Sequence, residues 1–197
     1  MSDSLDRLVA GGRMMAASAA RAHGVSRQTI ANRVRRGTLK QISRGLYVSP
    51  EFRPGEWYDF QVLALRCPDA VVCLYSALRI HNLTTQLPGE ISFALPQGRR
   101  APALHDFKMR VFFMAQGYYA YGIEEKNLDG VLVKVYSPAK TVADCFKYRN
   151  KTGIDVAIES LRECLRGKAA SIDDIMRAAR AVRVEKVILP YLEGITT

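Results

Sequence analysis

The sequence predicts an α+β protein: an N-terminal winged helix-turn-helix followed by a larger mixed α/β domain with a helical C-terminal third. Three observations predict it. Residues 20–48, ARAHGVSRQTIANRVRRGTLKQISRGLYV, read as a short helix, a tight turn at Gly24, a basic second helix and a two-stranded ribbon closing at Arg44-Gly45. The middle of the chain holds short apolar, β-favouring runs. The last third shows apolar residues at helical spacing, with recognisable caps.

From the N-terminus, Asp3 or Ser4 is placed to cap a helix whose Leu5, Leu8 and Val9 share a face, with Gly11-Gly12 ending it. The alanine-rich MMAASAARA, residues 14–22, is a helix by propensity. Ala20 lets that helix approach its neighbour closely, and Gly24 tolerates the positive φ of a tight turn. Ser26 stands where an N-cap belongs, and Val25 before it anchors the entry. The second helix runs from Arg27 to about Arg36, and Gly37 is placed to end it in a left-handed conformation. Ile30 and Val34, one turn apart, face inward. That leaves Arg27, Gln28, Ala31, Asn32 and Arg35 pointing elsewhere. Arg, Gln and Asn can make paired hydrogen bonds to guanine or adenine edges in a major groove. The ribbon follows directly, with Leu46-Tyr47-Val48 as its β-favouring arm and Ser43-Arg44-Gly45 as its tip. A basic tip of this kind can lie on phosphates or reach into a minor groove.

The segment SPEFRPG, residues 49–55, has two prolines and a glycine and sets a domain boundary, giving domains 1–50 and 51–197. Residues 56–67 then read as a helix with Phe60, Leu63 and Ala64 on one face. Residues 74–83 read as another, packing through Leu74, Ala77, Leu78 and His81. Strands are expected over 91–95, 109–114 and 131–136, with Asp129-Gly130 as a hairpin turn after a Gly- and Tyr-rich stretch. Ser137-Pro138 opens a helix with Ala139, Val142, Ala143 and Phe146 inward. Ile154, Ala157, Ile158, Leu161 and Leu165 mark a longer one, stopped by Gly167. Ser171 and Asp174 form the acidic relative of a capping box, opening a helix with Ile172, Ile175, Met176 and Ala179 inward. A last helix carries Val184, Val187, Ile188 and Tyr191, with Pro190 expected to kink or restart it.

The chain has 197 residues and a net charge of +10. Its distribution matters more than its size. Residues 1–50 hold nine Arg/Lys against Asp3 and Asp6, a balance of +7. The remaining residues hold 20 basic and 17 acidic groups, a balance of +3. Such concentration on the helix-turn-helix segment is the footprint of a nucleic-acid binding module. No apolar run reaches the ~18 residues of a membrane span. MSDSLDRLVAGG carries acidic residues and no hydrophobic signal core, so a cytoplasmic location is expected.

Cys67, Cys73, Cys145 and Cys164 form no CxxC pair and read as small buried hydrophobes; nothing in the sequence favours a Cys67–Cys73 disulfide. The chain lacks GxSxG, HExxH, a P-loop and a dinucleotide fingerprint. His23, His81 and His105 have no ligand spacing, and His81 reads as a satisfied core residue. Asp144, Glu159 and Glu163 lie on helices as solvated faces, and Glu90 has no second carboxylate nearby. No catalytic residue, cofactor site or metal site is therefore expected. Arg99, Arg100, Lys108 and Arg110 form a second basic cluster, read as a solvated loop. Tyr118, Tyr119 and Tyr121 can stack on bases, but such a run more often packs a sheet edge.

The order of these pieces resembles the AbiEi family of antitoxins, from bacterial abortive-infection toxin–antitoxin pairs. The resemblance is carried by GVSRQTIANRVRRGTLKQISRGLYVSP at 24–50, YSALRIHNL at 75–83 and VYSPAKTVADCFKYRNKTGIDVAIESL at 135–161. It implies an N-terminal winged helix that represses its own operon by binding inverted repeats in double-stranded DNA. It also implies a C-terminal domain that counteracts a nucleotidyltransferase toxin, usually without a stable complex. Carried over by position, Arg27, Gln28, Asn32, Arg35 and Arg36 are recognition-helix contacts, and Lys40 and Arg44 are wing contacts. Arg33 falls near the joint, where it meets either phosphate or a neighbouring side chain. The competing expectation is a stand-alone winged-helix regulator with a ligand-sensing C-terminal domain.

Overall fold

The computed structural model describes residues 2–86, 89–104 and 107–196. The chain divides into two compact units, Met1–Pro68 with Lys126–Val133, and Asp69–Glu125 with Lys134–Thr197.

In the first unit, α1 (Ser2–Val9) buries Leu5 and Val9 and half-buries Leu8. It starts earlier than expected, so Asp3 and Ser4 stand inside its first turn rather than at a cap. A 3₁₀ turn at Ala10–Gly12 ends it, with Gly11 and Gly12 at φ 67° and 75°. Then come β1 (Met15–Ala16), α2 (Ala17–Ala22), α3 (Arg27–Arg35), β2 (Lys40–Ser43), β3 (Leu46–Val48) and α4 (Tyr58–Arg66). The strands form an antiparallel sheet in the order β1-β3-β2, so three helices are followed by a wing hairpin. The helix expected over residues 14–22 begins only at Ala17, because Met15 and Ala16 pair with Tyr47 and Leu46. A ladder to a distant strand, with Met15 buried, outweighs the few tenths of a kcal/mol by which alanine favours helix. The imperfect alternation of the wing has a physical counterpart: the register shifts between Gln41 and Ser43, a bulge that lets Ser43 face Leu46. Along α4, Phe60, Gln61, Val62 and Leu63 are buried. Gln61 is satisfied by donating to the carbonyl of Leu128 at 3.0 Å.

The second unit is built on β4 (Val71–Val72), α5 (Leu74–Ile80), β5 (Ile91–Pro96), β6 (Met109–Met114), α6 (Gln116–Ala120), β7 (Ile123–Leu128) and β8 (Val131–Tyr136). Its helical third is α7 (Pro138–Lys147), α8 (Arg149–Thr152), α9 (Ile154–Arg166), α10 (Ile172–Ala181) and α11 (Glu185–Thr196). The mixed sheet has the order β6-β5-β4-β8-β7. β5 runs antiparallel to β4 and parallel to β6, and β4 runs parallel to β8. Asp129 and Gly130 both take positive φ, 48° and 89°, as a two-residue type I′ hairpin turn requires. The outer end of that β7–β8 hairpin, Lys126–Val133, groups with the first unit.

The helical caps follow the sequence closely. Ser137 accepts from the Lys140 N–H at the start of α7. Ser171 and Asp174 form a reciprocal capping box on α10. The core of this unit gathers Phe112, Tyr136, Val142, Phe146, Leu161, Cys164, Ile175 and Ile188. Two expectations are corrected. Ile172 is 43% exposed rather than inward, because it is the first residue of α10 and precedes the packed turn. Helix α11 runs through Pro190 without restarting, the ring standing on an exposed face. No helix among the described residues is long and apolar enough to cross a membrane.

Candidate nucleic-acid interface

The site begins with the turn that presents α3. Gly24 takes φ 75°, and its N–H donates to the Arg21 carbonyl while that of Val25 donates to Ala20. The chain can therefore leave α2 and enter α3 within four residues. Ser26 has extended backbone angles and accepts the Thr29 N–H at 3.1 Å, satisfying one of the orphan donors of the first helical turn. Val25 and Ile30, before and after this cap, are both buried in one cluster with Leu5, Val9, Met15, Ala20 and Leu39. That is the hydrophobic staple expected of a well-fixed helix start. Ala20 is fully buried, as the close approach of α2 requires. At the other end Arg36 is the C-cap and Gly37 takes φ 70°.

With Ile30 inward and Val34 half-buried, Arg27, Gln28, Ala31, Arg35 and Arg36 are exposed and Asn32 is half-buried. Lys40 is exposed at the start of β2, and Arg44 is exposed at the wing tip. Among the described residues no ion pair engages Arg27, Arg35, Arg36, Lys40 or Arg44. Arg33 differs. Its guanidinium grips both carboxylate oxygens of Asp6 on α1, at 2.7 and 3.0 Å. Of the two roles open to it, the structure gives it a protein side chain. The hydrogen bond holds the Asp6 carboxyl below its usual range and raises Arg33 in turn. Arg33 thus fastens α3 to α1 and is not one of the open arginines.

Polar contacts also link the exposed face itself. The Gln28 amide donates to Asn32 Oδ1 at 3.2 Å, and Arg35 Nη2 donates to the same oxygen at 2.7 Å. A further residue was not visible in the sequence pattern. Arg66, in the last turn of α4, donates from Nη1 to the Arg44 carbonyl at 2.6 Å and to Ser43 Oγ at 3.2 Å. It holds the wing tip by its backbone, and Arg44 itself is exposed. Nothing in the local sequence marks it, since the contact joins residues 22 positions apart.

The other basic and aromatic groups sort differently. Arg99 is paired with Asp69 and Arg110 with Glu90, each at 2.6 Å, which neutralises part of the second cluster. Tyr118 and Tyr119 lie on α6, and with Tyr121 they pack against the core. The Tyr119 hydroxyl donates to the Asp69 carbonyl, and Lys147 sits 3.8 Å over the Tyr118 ring. His81 Nε2 is 2.7 Å from the Tyr136 carbonyl, a satisfied, half-buried position. His105 lies outside the described residues.

Asp144 requires a correction. It is not on a solvated face: it is 1% exposed and paired at 2.5 Å with Lys140, itself fully buried one turn earlier on α7. Burial raises the Asp144 carboxyl and Lys140 pulls the other way. The four cysteines are free thiols, three of them buried. Burial pushes the Cys73 and Cys145 thiols up, and that of Cys164 to about 11, so none of these is a ready thiolate. No group of His, Cys, Asp and Glu among the described residues could hold a metal ion.

Residues 17–50 match the family described as "Transcriptional regulator, AbiEi antitoxin". The resemblance to AbiEi antitoxins is thus borne out over the stretch that forms α2, α3 and the wing, and it supports a role as a DNA-binding, antitoxin-type transcription regulator. Among solved structures, the chain is similar to the RV2827C protein from Mycobacterium tuberculosis. The two share 12% identity over 96% of this chain and 76% of that one, with a TM-score of 0.61, a likeness of fold. No curated protein matches the chain.

Proposed function

We propose that this chain, which carries the AbiEi antitoxin regulator segment, binds inverted repeats in its own operator through α3 and represses the operon. The observation that supports it is a cationic face unneutralised by acids: Arg27, Arg35 and Arg36 on α3 and Lys40 and Arg44 on the wing have no carboxylate partner among the described residues. In this reading Arg27, Gln28, Asn32 and Arg35 enter the major groove. Arg36, Lys40 and Arg44 meet phosphates or the minor groove. Residues 51–197 counteract a nucleotidyltransferase toxin encoded beside it, without a lasting complex.

The test is a titration of the upstream region against scrambled duplexes at several salt concentrations. Arg44→Ala weakens all sequences alike and lowers the salt slope by about one unit. Arg27→Ala or Gln28→Ala changes the sequence preferred. Unchanged selectivity in both helix variants refutes the assignment. For the toxin, growth rescue is measured with the full chain carrying Arg27→Ala and Arg35→Ala. Rescue that persists separates neutralisation from duplex binding; rescue that disappears places both on one surface.

A further inference from the structure

The amide of Asn32 has a fixed sense. Arg35 can only donate, so the Asn32 atom 2.7 Å from its Nη2 is the oxygen, and the Gln28 amide donates to that same oxygen. Residues 28, 32 and 35 are spaced by four and three, which puts them in one strip along α3. The Asn32 carbonyl oxygen is therefore spent within the strip, and its NH₂ is the group left for a ligand. An adenine edge asks a single Asn for an acceptor and a donor together, at N6 and N7. Asn32 cannot supply both without releasing Arg35.

Arg35 gains from the same contact. A guanidinium has two edges that each present a parallel pair of N–H donors. One Nη2 hydrogen held by Asn32 leaves a complete edge open, with the plane already oriented. Guanine, with O6 and N7 both acceptors, is the base that fits such an edge.

We infer that Asn32 is a positioning residue rather than an adenine reader: it sets the Arg35 guanidinium for guanine and offers only a single amide donor of its own. This rests on the duplex-binding function proposed above and adds the base that the strip selects. Adenine contact from this strip falls to Gln28, whose amide oxygen is not used by Asn32 or Arg35.

The experiment is selection from random duplexes by the full chain, comparing wild type with Asn32→Ala, Asn32→Asp and Arg35→Ala. Wild type enriches a guanine that Arg35→Ala no longer selects. Asn32→Asp keeps an oxygen for Arg35 and so keeps the guanine preference, even where the added charge lowers total affinity. Asn32→Ala removes the anchor and cuts that preference roughly fivefold or more. The inference is overturned if wild type enriches an adenine that Asn32→Ala and Asn32→Asp both erase while the guanine preference stays intact. If wild type enriches no sequence at all, the duplex-reading function itself fails, a result distinct from the previous one.

Discussion

Removal of Asp144 provides the sharpest test of the second unit. Lys140 and Asp144 are 0% and 1% exposed, with Nζ 2.5 Å from Oδ2. The other carboxylate oxygen, Oδ1, is buried without a hydrogen-bond partner among the described residues, and the Lys140 ammonium lies 4.0 Å from the centre of the Tyr136 ring. Helix α7 packs against α5, α9 and α10, so water has no easy route to a widowed charge. Asp144→Ala leaves the ammonium with a ring face as its remaining counterpart, and losing one partner of a buried pair costs about 3–5 kcal/mol. At this chain length each kcal/mol moves Tm by about 2–4 °C, so a fall of roughly 6–20 °C is expected. The pair is not itself a large source of stability, because desolvation of both charges and the unsatisfied Oδ1 oppose the attraction. The double variant Lys140→Met with Asp144→Leu should therefore recover most of the loss. Urea unfolding followed by circular dichroism measures all three proteins. Asp144→Ala within about 1 kcal/mol of wild type, or a double variant no better than the single one, refutes the reasoning.

Three further outcomes concern the first unit. Ile30→Ala empties a position that is 3% exposed at the helix joint, and should cost about 2–5 kcal/mol and abolish duplex binding together with the fold; circular dichroism and a binding titration read both. Arg66→Ala releases the wing tip, so its effect on duplex affinity should not add to that of Arg44→Ala, with a coupling of about 0.5–3 kcal/mol in a double-mutant cycle. Asp6→Asn breaks the α1–α3 pair, whose carboxylate side chain is 57% exposed, so the loss at neutral pH stays below about 1 kcal/mol. Because Arg33 depresses the Asp6 carboxyl on folding, this contribution is present above the unfolded value and disappears as pH falls through the lower folded one. Urea midpoints of wild type and Asp6→Asn should therefore converge below about pH 4.

The parts of this fold legible in the sequence are those whose cause is local. Ser26 and Gly37 bracket α3 because a cap and a left-handed stop act within one turn. The Ser171–Asp174 box and the Asp129-Gly130 turn are legible for the same reason. What escaped is decided by distant partners. Met15 and Ala16 become strand because residues 46 and 47 pair with them. β7 escaped because four of its six residues are exposed and polar, with no apolar alternation to betray a strand. Two-residue β4 is too short to show any period. Asp144 reads as a surface charge since nothing in a helical repeat says that it and Lys140 sit on a covered face. At the interface the inward direction of Ile30 and the outward direction of Arg27, Gln28, Ala31 and Arg35 are legible. The Asn32–Arg35 bond, the Asp6–Arg33 anchor and the Arg66 clamp are not, because each depends on a rotamer or a contact across the fold.

The anchors share a property that bears on ionic strength. α3 is held by its cap, by Ile30 and by Arg33, none of which uses an outward guanidinium. Arg27, Arg35 and Arg36 thus crowd one short helix with no carboxylate partner among the described residues, and Lys40 and Arg44 add to the same charge excess. Like charges this close repel, which lowers the stability of the free protein, and salt screens them with a Debye length near 10 Å at 0.1 M. The Arg33–Asp6 pair is weakened by the same salt, but it is one bidentate contact against several repulsions. Raising salt from about 50 to 500 mM should therefore stabilise the first unit in urea while it weakens duplex binding through counterion release. The two responses must have opposite signs. A first unit that loses stability as salt rises would mean that its arginines are already engaged by protein groups, and the face would no longer be available to a phosphate backbone.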